Sequence, residues 1–152
     1  MISTQVLTQI KSYCAYQERC HEDVRIKLLS LKVYGNDLEE IIALLIQENF
    51  LHEERFARSY ARGKFYLKKW GRKKIIFQLK AKKISPYCIQ KAMTEIHEED
   101  YWNTLQGLIE KKKADLKSEK NKFIRIQKIQ NYLVQKGFEY ELIQEALKPY
   151  FK

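Results

Sequence analysis

Three histidines, each followed by acidic residues, are the side chains most capable of chemistry. His21 is followed by Glu22-Asp23, His52 by Glu53-Glu54, and His97 by Glu98-Glu99-Asp100. A metal site is not predicted, because no histidine has a second ligand at a spacing such as HExxH. Acidic residues in the first turn of a helix interact favourably with the helix dipole. The pattern therefore predicts three helix starts.

The remaining candidates for catalysis also lack partners. Cys14, Cys20 and Cys88 are odd in number, show no CxxC spacing and follow no secretory signal, so we expect reduced, buried cysteines in a cytoplasmic protein. The apolar run 41–46 is far shorter than the roughly 20 residues of a transmembrane helix. The five glycines form no phosphate-binding loop. We predict a protein that is not an enzyme and that needs no metal or cofactor.

The positive charge is concentrated in one segment. Of the 29 basic residues, 13 lie between Arg55 and Lys91, and no acid occurs from residue 55 to residue 94. The other 16 are outnumbered by the 19 acidic residues. Since a solvated face usually mixes both signs, the segment predicts a site for a polyanion or an acidic protein. The candidate binding residues are Arg55, Arg58, Arg62, Lys64, Lys68, Lys69, Trp70, Arg72, Lys73 and Lys74.

Trp70 has two interpretations. An indole within a basic segment can stack on a nucleic-acid base, although a tryptophan at a helix junction is more often a packing residue. In the helix that precedes it, Phe56, Tyr60 and Leu67 fall on one face, which we expect to be core.

An apolar pattern with spacings of five, five and four occurs three times along the chain. The copies are Leu28-Val33-Leu38-Ile42, Leu79-Ile84-Ile89-Met93 and Leu133-Phe138-Ile143-Leu147. In each copy a helix ends, a turn follows and a second helix begins, with Asp37 and Ser85 as expected N-caps. A longer helical pattern precedes each copy, at residues 6–16, 56–67 and 102–109.

The repeat predicts an all-α fold. We expect an elongated tandem array of three three-helix repeats at residues 1–51, 52–97 and 98–152, the second of them basic. Each helix pair needs a neighbour to bury its apolar faces, so we expect the units to stack.

Several of these residues resemble the RecX family. The resemblance covers Leu51 to Ala57 with its Arg-Phe-Ala, Trp70 to Ile75 with Leu79 and Ile84, and Tyr132-Leu133, Lys136-Gly137-Phe138 and Leu142-Ile143. It runs in register over roughly residues 20–148. Membership would imply a curved stack of three-helix units that lies in the groove of RecA filaments on DNA. It would also imply inhibition of RecA activities in homologous recombination, DNA repair and the SOS response.

Two features depart from the family pattern. Lys32 and Lys83 stand where a glycine is common, and only Gly137 keeps it, so these lysines either adopt a left-handed conformation or end their helices differently. His52 replaces the usual Asp or Asn cap. Two other functions fit the residues: a helix-turn-helix DNA-binding protein, and a helical-repeat adaptor for another acidic partner.

Overall fold

The protein is all-helical in a computed structural model that describes residues 2–151. Three groups of three α-helices follow one another, and none of the described residues lies in a strand. The first group is α1 (Thr4–Tyr16), α2 (His21–Ser30) and α3 (Gly35–Gln47), and the second is α4 (Glu53–Arg62), α5 (Arg72–Ala81) and α6 (Pro86–Met93). The third is α7 (Glu98–Asp115), α8 (Lys122–Lys136) and α9 (Tyr140–Leu147). The predicted fold class is confirmed.

The helix-turn-helix is built alike in all three groups. The amides of Val33, Ile84 and Phe138 donate to the carbonyls five residues earlier, those of Leu28, Leu79 and Leu133, at 3.0, 3.1 and 3.1 Å. The preceding residue is left-handed each time, with φ of 63° at Lys32, 63° at Lys83 and 99° at Gly137. This is the usual way in which a helix ends at a glycine. Two lysines therefore occupy the left-handed position, the first of the two alternatives posed by the sequence.

The helix starts agree with the histidine pattern. His52 and His97 immediately precede α4 and α7, and His21 is the first residue of α2. The imidazole Nδ1 of His52 accepts the amide of Arg55 at 3.0 Å, so it caps the helix as an Asp or Asn would. Ser85 caps α6 by accepting the Cys88 amide at 3.2 Å. Asp37 as an N-cap is wrong, because α3 begins at Gly35 and Asp37 lies in its first turn.

The helices are grouped into two compact units. One comprises residues up to Tyr60 with Leu79–Ala92, and the other comprises Ala61–Gln78 with residues from Met93 onward. The first has an apolar core of Ile10, Cys14, Val24, Leu28, Leu38, Ile41, Ile42, Leu45 and Leu51. In the second, the rings of Phe65, Tyr101 and Phe138 pack in series with centroids 5.6 and 5.1 Å apart. The three-repeat boundaries at residues 51/52 and 97/98 remain a proposal.

One core prediction is wrong. Leu67 is 81% exposed, whereas Phe65, which the pattern did not select, is 1% exposed. The cause is a π-helical turn over Gly63–Leu67 at the end of α4. Its wider hydrogen-bonding pattern shifts the helix face and turns Phe65 into the core.

The cysteines are buried and form no disulfide. Burial raises the pKa of Cys14 and that of Cys20 to about 11, which keeps both thiols protonated at neutral pH. Cys20 also caps α2: its Sγ accepts the Asp23 amide at 3.3 Å, while Asp23 accepts the Cys20 amide. The predicted role of buried cysteine is confirmed. None of the helices between residues 2 and 151 has the length and apolar character needed to cross a bilayer.

Candidate polyanion-binding site

The arginines of the candidate site are engaged in ion pairs with acids that lie outside the acid-free segment 55–94. Arg55 lies 2.8 Å from Glu18, Arg58 2.9 Å from Glu54, Arg62 2.7 Å from Glu95, and Arg72 2.7 Å from Glu98 and 3.0 Å from Glu139. The sequence between residues 55 and 94 contains no acid, but in the folded protein carboxylates do lie next to these arginines.

Arg72 has the most elaborate surroundings of the four. Its guanidinium lies 3.9 Å from the centre of the Tyr101 ring, and its amide donates to the Tyr101 hydroxyl at 3.0 Å. The same hydroxyl donates to Glu139. Burial, followed by the carboxylate of Glu139, raises the pKa of Tyr101 far above its usual value, so the hydroxyl stays protonated. Arg72 therefore fixes the start of α5 against α7 and Glu139.

The lysines of the site behave differently. In the part of the chain that the structure describes, Lys68, Lys69, Lys73 and Lys74 form no ion pair with a carboxylate. Lys68, Lys69 and Lys73 are exposed, and Lys74 is half-buried. A carboxylate partly neutralises each paired arginine, whereas the charges of these four lysines can attract an anionic ligand.

Trp70 lies next to the amines of two lysines, Lys64 and Lys74. Its indole is half-buried, and the ammonium nitrogens of Lys74 and Lys64 lie 4.3 and 4.9 Å from the ring centre. The residue before it, Lys69, is left-handed with φ of 59°, an uncommon conformation for a residue with a side chain. Lys69 ends the helical segment Gly63–Leu67 as Lys32 and Lys83 end their helices, and the Trp70 amide donates to the Lys64 carbonyl at 3.0 Å.

A close backbone contact brings α8 to this lysine-rich turn. The Gly71 amide donates to the Lys136 carbonyl at 2.7 Å, and the Lys73 amide donates to Gly137 at 2.9 Å. Neither glycine has room for a side chain: a Cβ on Gly71 would lie 2.3 Å from the Gly137 carbonyl carbon, and one on Gly137 would lie 2.4 Å from the Cβ of Lys74. The pair of glycines allows the two turns to touch.

The contact adds lysines that sequence reasoning missed. The Lys136 amine donates to the carbonyl of Lys68 at 3.0 Å. Burial, and then the charges of Lys74, Lys69 and Lys111, lower the pKa of Lys136 below its usual range. Two lysines, Lys64 and Lys74, lie over the Trp70 ring, and the charges of Lys69, Lys74 and Lys111 act on Lys136. We call these five residues the lysine cluster: Lys64, Lys69, Lys74, Lys111 and Lys136. The only sequence feature connected with the lysine cluster is the presence of glycine at positions 71 and 137, and one sequence does not show that these two glycines are in contact.

The lysine cluster contains no catalytic arrangement. Among residues 2–151, no three His, Cys, Asp or Glu side chains are grouped closely enough to hold a metal ion. Like charges held together repel one another, so the cluster can attract an anion more strongly than isolated lysines can. The repeated helix pairs and the lysine cluster together define the class: a helical-repeat protein with a candidate polyanion site.

Comparisons with known proteins place this class within one family. Residues 53–93 match the second three-helix domain of RecX, and residues 98–147 match the third. The chain belongs to the RecX family.

Relatives and solved structures agree with this assignment. The regulatory protein RecX of Bacillus cytotoxicus is 28% identical over 92% of this chain and 52% of its own length, and that of Clostridium tetani is 30% identical over 80% and 56%. The chain thus spans about half the length of the curated relatives that it matches. The crystal structure of RecX from Lactobacillus salivarius superposes with a TM-score of 0.84, at 25% identity, over 97% of this chain and 96% of that one.

Proposed function

We propose that this chain is a non-enzymatic regulator of homologous recombination and DNA repair, which acts in the cytoplasm by binding RecA filaments on DNA and slowing their ATP hydrolysis and strand exchange. The observation that carries the proposal is membership in the RecX family across two consecutive three-helix domains. The lysine cluster supports it, since a filament on DNA presents dense negative charge along its length.

The mechanism is stoichiometric binding. Lys69 and Lys74 supply positive charge that no carboxylate of residues 2–151 neutralises in an ion pair, and the paired arginines hold the helices that carry them. Electrostatic attraction of this kind increases the rate of encounter and is screened by salt, with a screening length of about 8 Å at physiological ionic strength. Inhibition is therefore salt-sensitive and needs no turnover by this protein.

The test uses RecA assembled on single-stranded DNA with ATP. The wild-type chain should cosediment with the filaments and reduce both ATP hydrolysis and strand exchange. Reversing two charges of the lysine cluster, with Lys69→Glu and Lys74→Glu together, should abolish cosedimentation and inhibition. The proposal fails if wild-type protein in several-fold excess leaves both RecA activities unchanged at low and physiological salt.

A matched variant controls for net charge. Lys117 and Lys120 are exposed lysines in the turn between α7 and α8 and do not belong to the lysine cluster. Reversing both to Glu changes the total charge by the same amount. Inhibition should persist in this control, and an equal loss in both double variants would show that the lysine cluster is not the contact.

A further inference from the structure

The second helix of each group leaves the same three positions exposed. The repeat aligns residue 33 with residues 84 and 138, so the positions seven, four and three residues earlier correspond in α2, α5 and α8. Residues three and four apart lie on one face of a helix. All nine residues are exposed, and we call each set of three a repeat face: Ile26, Leu29 and Ser30; Phe77, Lys80 and Ala81; and Asn131, Val134 and Gln135.

The repeat faces are nearly free of charge and carry large apolar side chains. Charged residues make up 32% of the chain, yet Lys80 is the only charged residue of the three faces. Ile26 is 61% exposed and Phe77 69% exposed, and Leu29 and Val134 are each 48% exposed. The centres of protein–protein interfaces are depleted of charged residues, whereas solvated faces are rich in them. The composition of the repeat faces is therefore that of a surface that a protein covers.

The helix-turn-helix fixes how each repeat face is presented. Leu28, Leu79 and Leu133 are completely buried, and each is followed directly by an exposed residue of a repeat face. The hydrogen bonds from residues 33, 84 and 138 end the three helices in the same way. Each face is therefore held in the same orientation to the core beneath it. A preformed helical surface binds without the cost of ordering a mobile segment.

We infer that the repeat faces bind the protein subunits of the RecA filament, each face meeting the same apolar surface of a subunit. This rests on the proposed function and deepens it, because it names the part of the chain that contacts the RecA protein. Three copies of one face within a single chain fit a partner that offers one surface many times. A filament of identical subunits is such a partner.

Two other occupants fit the repeat faces less well. A second copy of this chain would carry the same net charge of +10, and two such copies repel each other. A two-fold dimer would also pair one face with its own equivalent and leave the other faces uncovered. A nucleic acid is held through cations that contact its phosphates, and the repeat faces supply only Lys80.

The first experiment measures cosedimentation with RecA filaments on single-stranded DNA. Phe77→Gln should weaken binding about tenfold, the effect of losing much of the burial of one large apolar side chain. With Ile26→Gln added, the loss should reach about a hundredfold, because separate contacts contribute additively. Both positions are exposed, so the urea midpoint should remain that of wild type. A double variant that binds as tightly as wild type would overturn the inference.

Phe123→Gln is the matched control. Phe123 is 80% exposed and lies in α8, but it does not belong to a repeat face. The substitution removes the same side chain as Phe77→Gln and should leave binding unchanged. An equal loss in Phe123→Gln and Phe77→Gln would show that any exposed ring contributes, which contradicts a role for the repeated positions.

The second experiment separates apolar from ionic contacts by a salt series. Phe77→Gln removes no charge, so it should lower the affinity by the same factor at low and physiological salt. The Lys69→Glu and Lys74→Glu double variant should instead change the salt dependence itself. If Phe77→Gln alters the slope of log affinity against log salt as the double lysine variant does, the assignment of the repeat faces to a protein surface is wrong.

The third experiment tests the other occupants and separates the two proposals. Sedimentation equilibrium should give the same molar mass for wild type and for the Ile26→Gln, Phe77→Gln double variant, and binding of a single-stranded oligonucleotide should also be equal. A dimer or an oligonucleotide complex that only the wild type forms would assign the faces to that occupant and overturn the inference. Undiminished RecA inhibition by the double variant refutes the repeat faces alone, whereas wild-type protein that does not inhibit RecA refutes the proposed function.

Discussion

Replacing Gly137 by alanine should test whether the contact between two turns builds the lysine cluster. Gly137 has φ of 99°, and an added Cβ would lie 2.4 Å from the Lys74 Cβ and 2.6 Å from the Lys74 nitrogen. The left-handed backbone costs a residue with a side chain roughly 1–2 kcal/mol, and forced displacement of packed neighbours costs about 1–3 kcal/mol. Alanine also lowers the conformational entropy of the unfolded chain, which stabilises the folded protein by about 0.4–1 kcal/mol and partly offsets these costs.

The expected net loss is about 2 to 4 kcal/mol in the free energy of unfolding. Urea denaturation followed by far-UV circular dichroism measures it, with an unchanged m-value showing that the unfolding transition is otherwise the same. Cosedimentation with RecA filaments on single-stranded DNA, measured where the variant is still folded, should weaken because α8 moves away from the start of α5, which carries Lys74.

Gly107→Ala provides the matched control for stability. Gly107 lies inside α7, and an added Cβ would meet nothing within 4 Å. Alanine in a helix interior is favoured over glycine by about 0.5–1 kcal/mol, so this variant should be stabilised. The same substitution is thus expected to have opposite signs at the two positions. A Gly137→Ala protein within about 0.5 kcal/mol of wild type would refute the close approach of the two turns.

Two further predictions concern stability. Lys32→Gly should stabilise the protein by about 1 kcal/mol, because φ is 63° at this position. Lys80→Gly, within α5, should destabilise it by about 1 kcal/mol. If the two variants shift the urea midpoint in the same direction, the left-handed assignment of Lys32 is contradicted. Burial would raise the pKa of Asp23, but hydrogen bonds from Cys20 and the Lys82 ammonium outweigh it and lower the pKa. The ionised carboxylate therefore stabilises the fold above the ordinary value of 3.8, and this contribution is lost as the pH falls through the lower folded pKa. Asp23→Asn should cost about 1 kcal/mol at neutral pH, a difference that must shrink below pH 4 in a series of urea titrations.

Much of the architecture follows from local information in the sequence. The spacing of apolar residues, the acids after each histidine and the turn residues are short-range features, and short-range features decide where helices begin and end. Hence the all-helical class, the repeated helix pair, the buried cysteines and the role of Ser85 were all predictable. The position of Leu67 was not, because the π-helical turn at Gly63–Leu67 breaks the regular period on which such a prediction depends.

The candidate site depended on tertiary structure. A single sequence shows where charges lie along the chain, but the distance in space decides which charges form ion pairs. The sequence therefore did not reveal that Glu18, Glu95 and Glu139 pair with arginines of the basic segment. For the same reason, Lys136 appeared to be an ordinary lysine at a helix end. Its place in the lysine cluster arises because Gly71 and Gly137 lack side chains and allow two distant turns to approach within hydrogen-bonding distance. Helix identity is a local property, whereas the composite site exists only after folding brings those turns together.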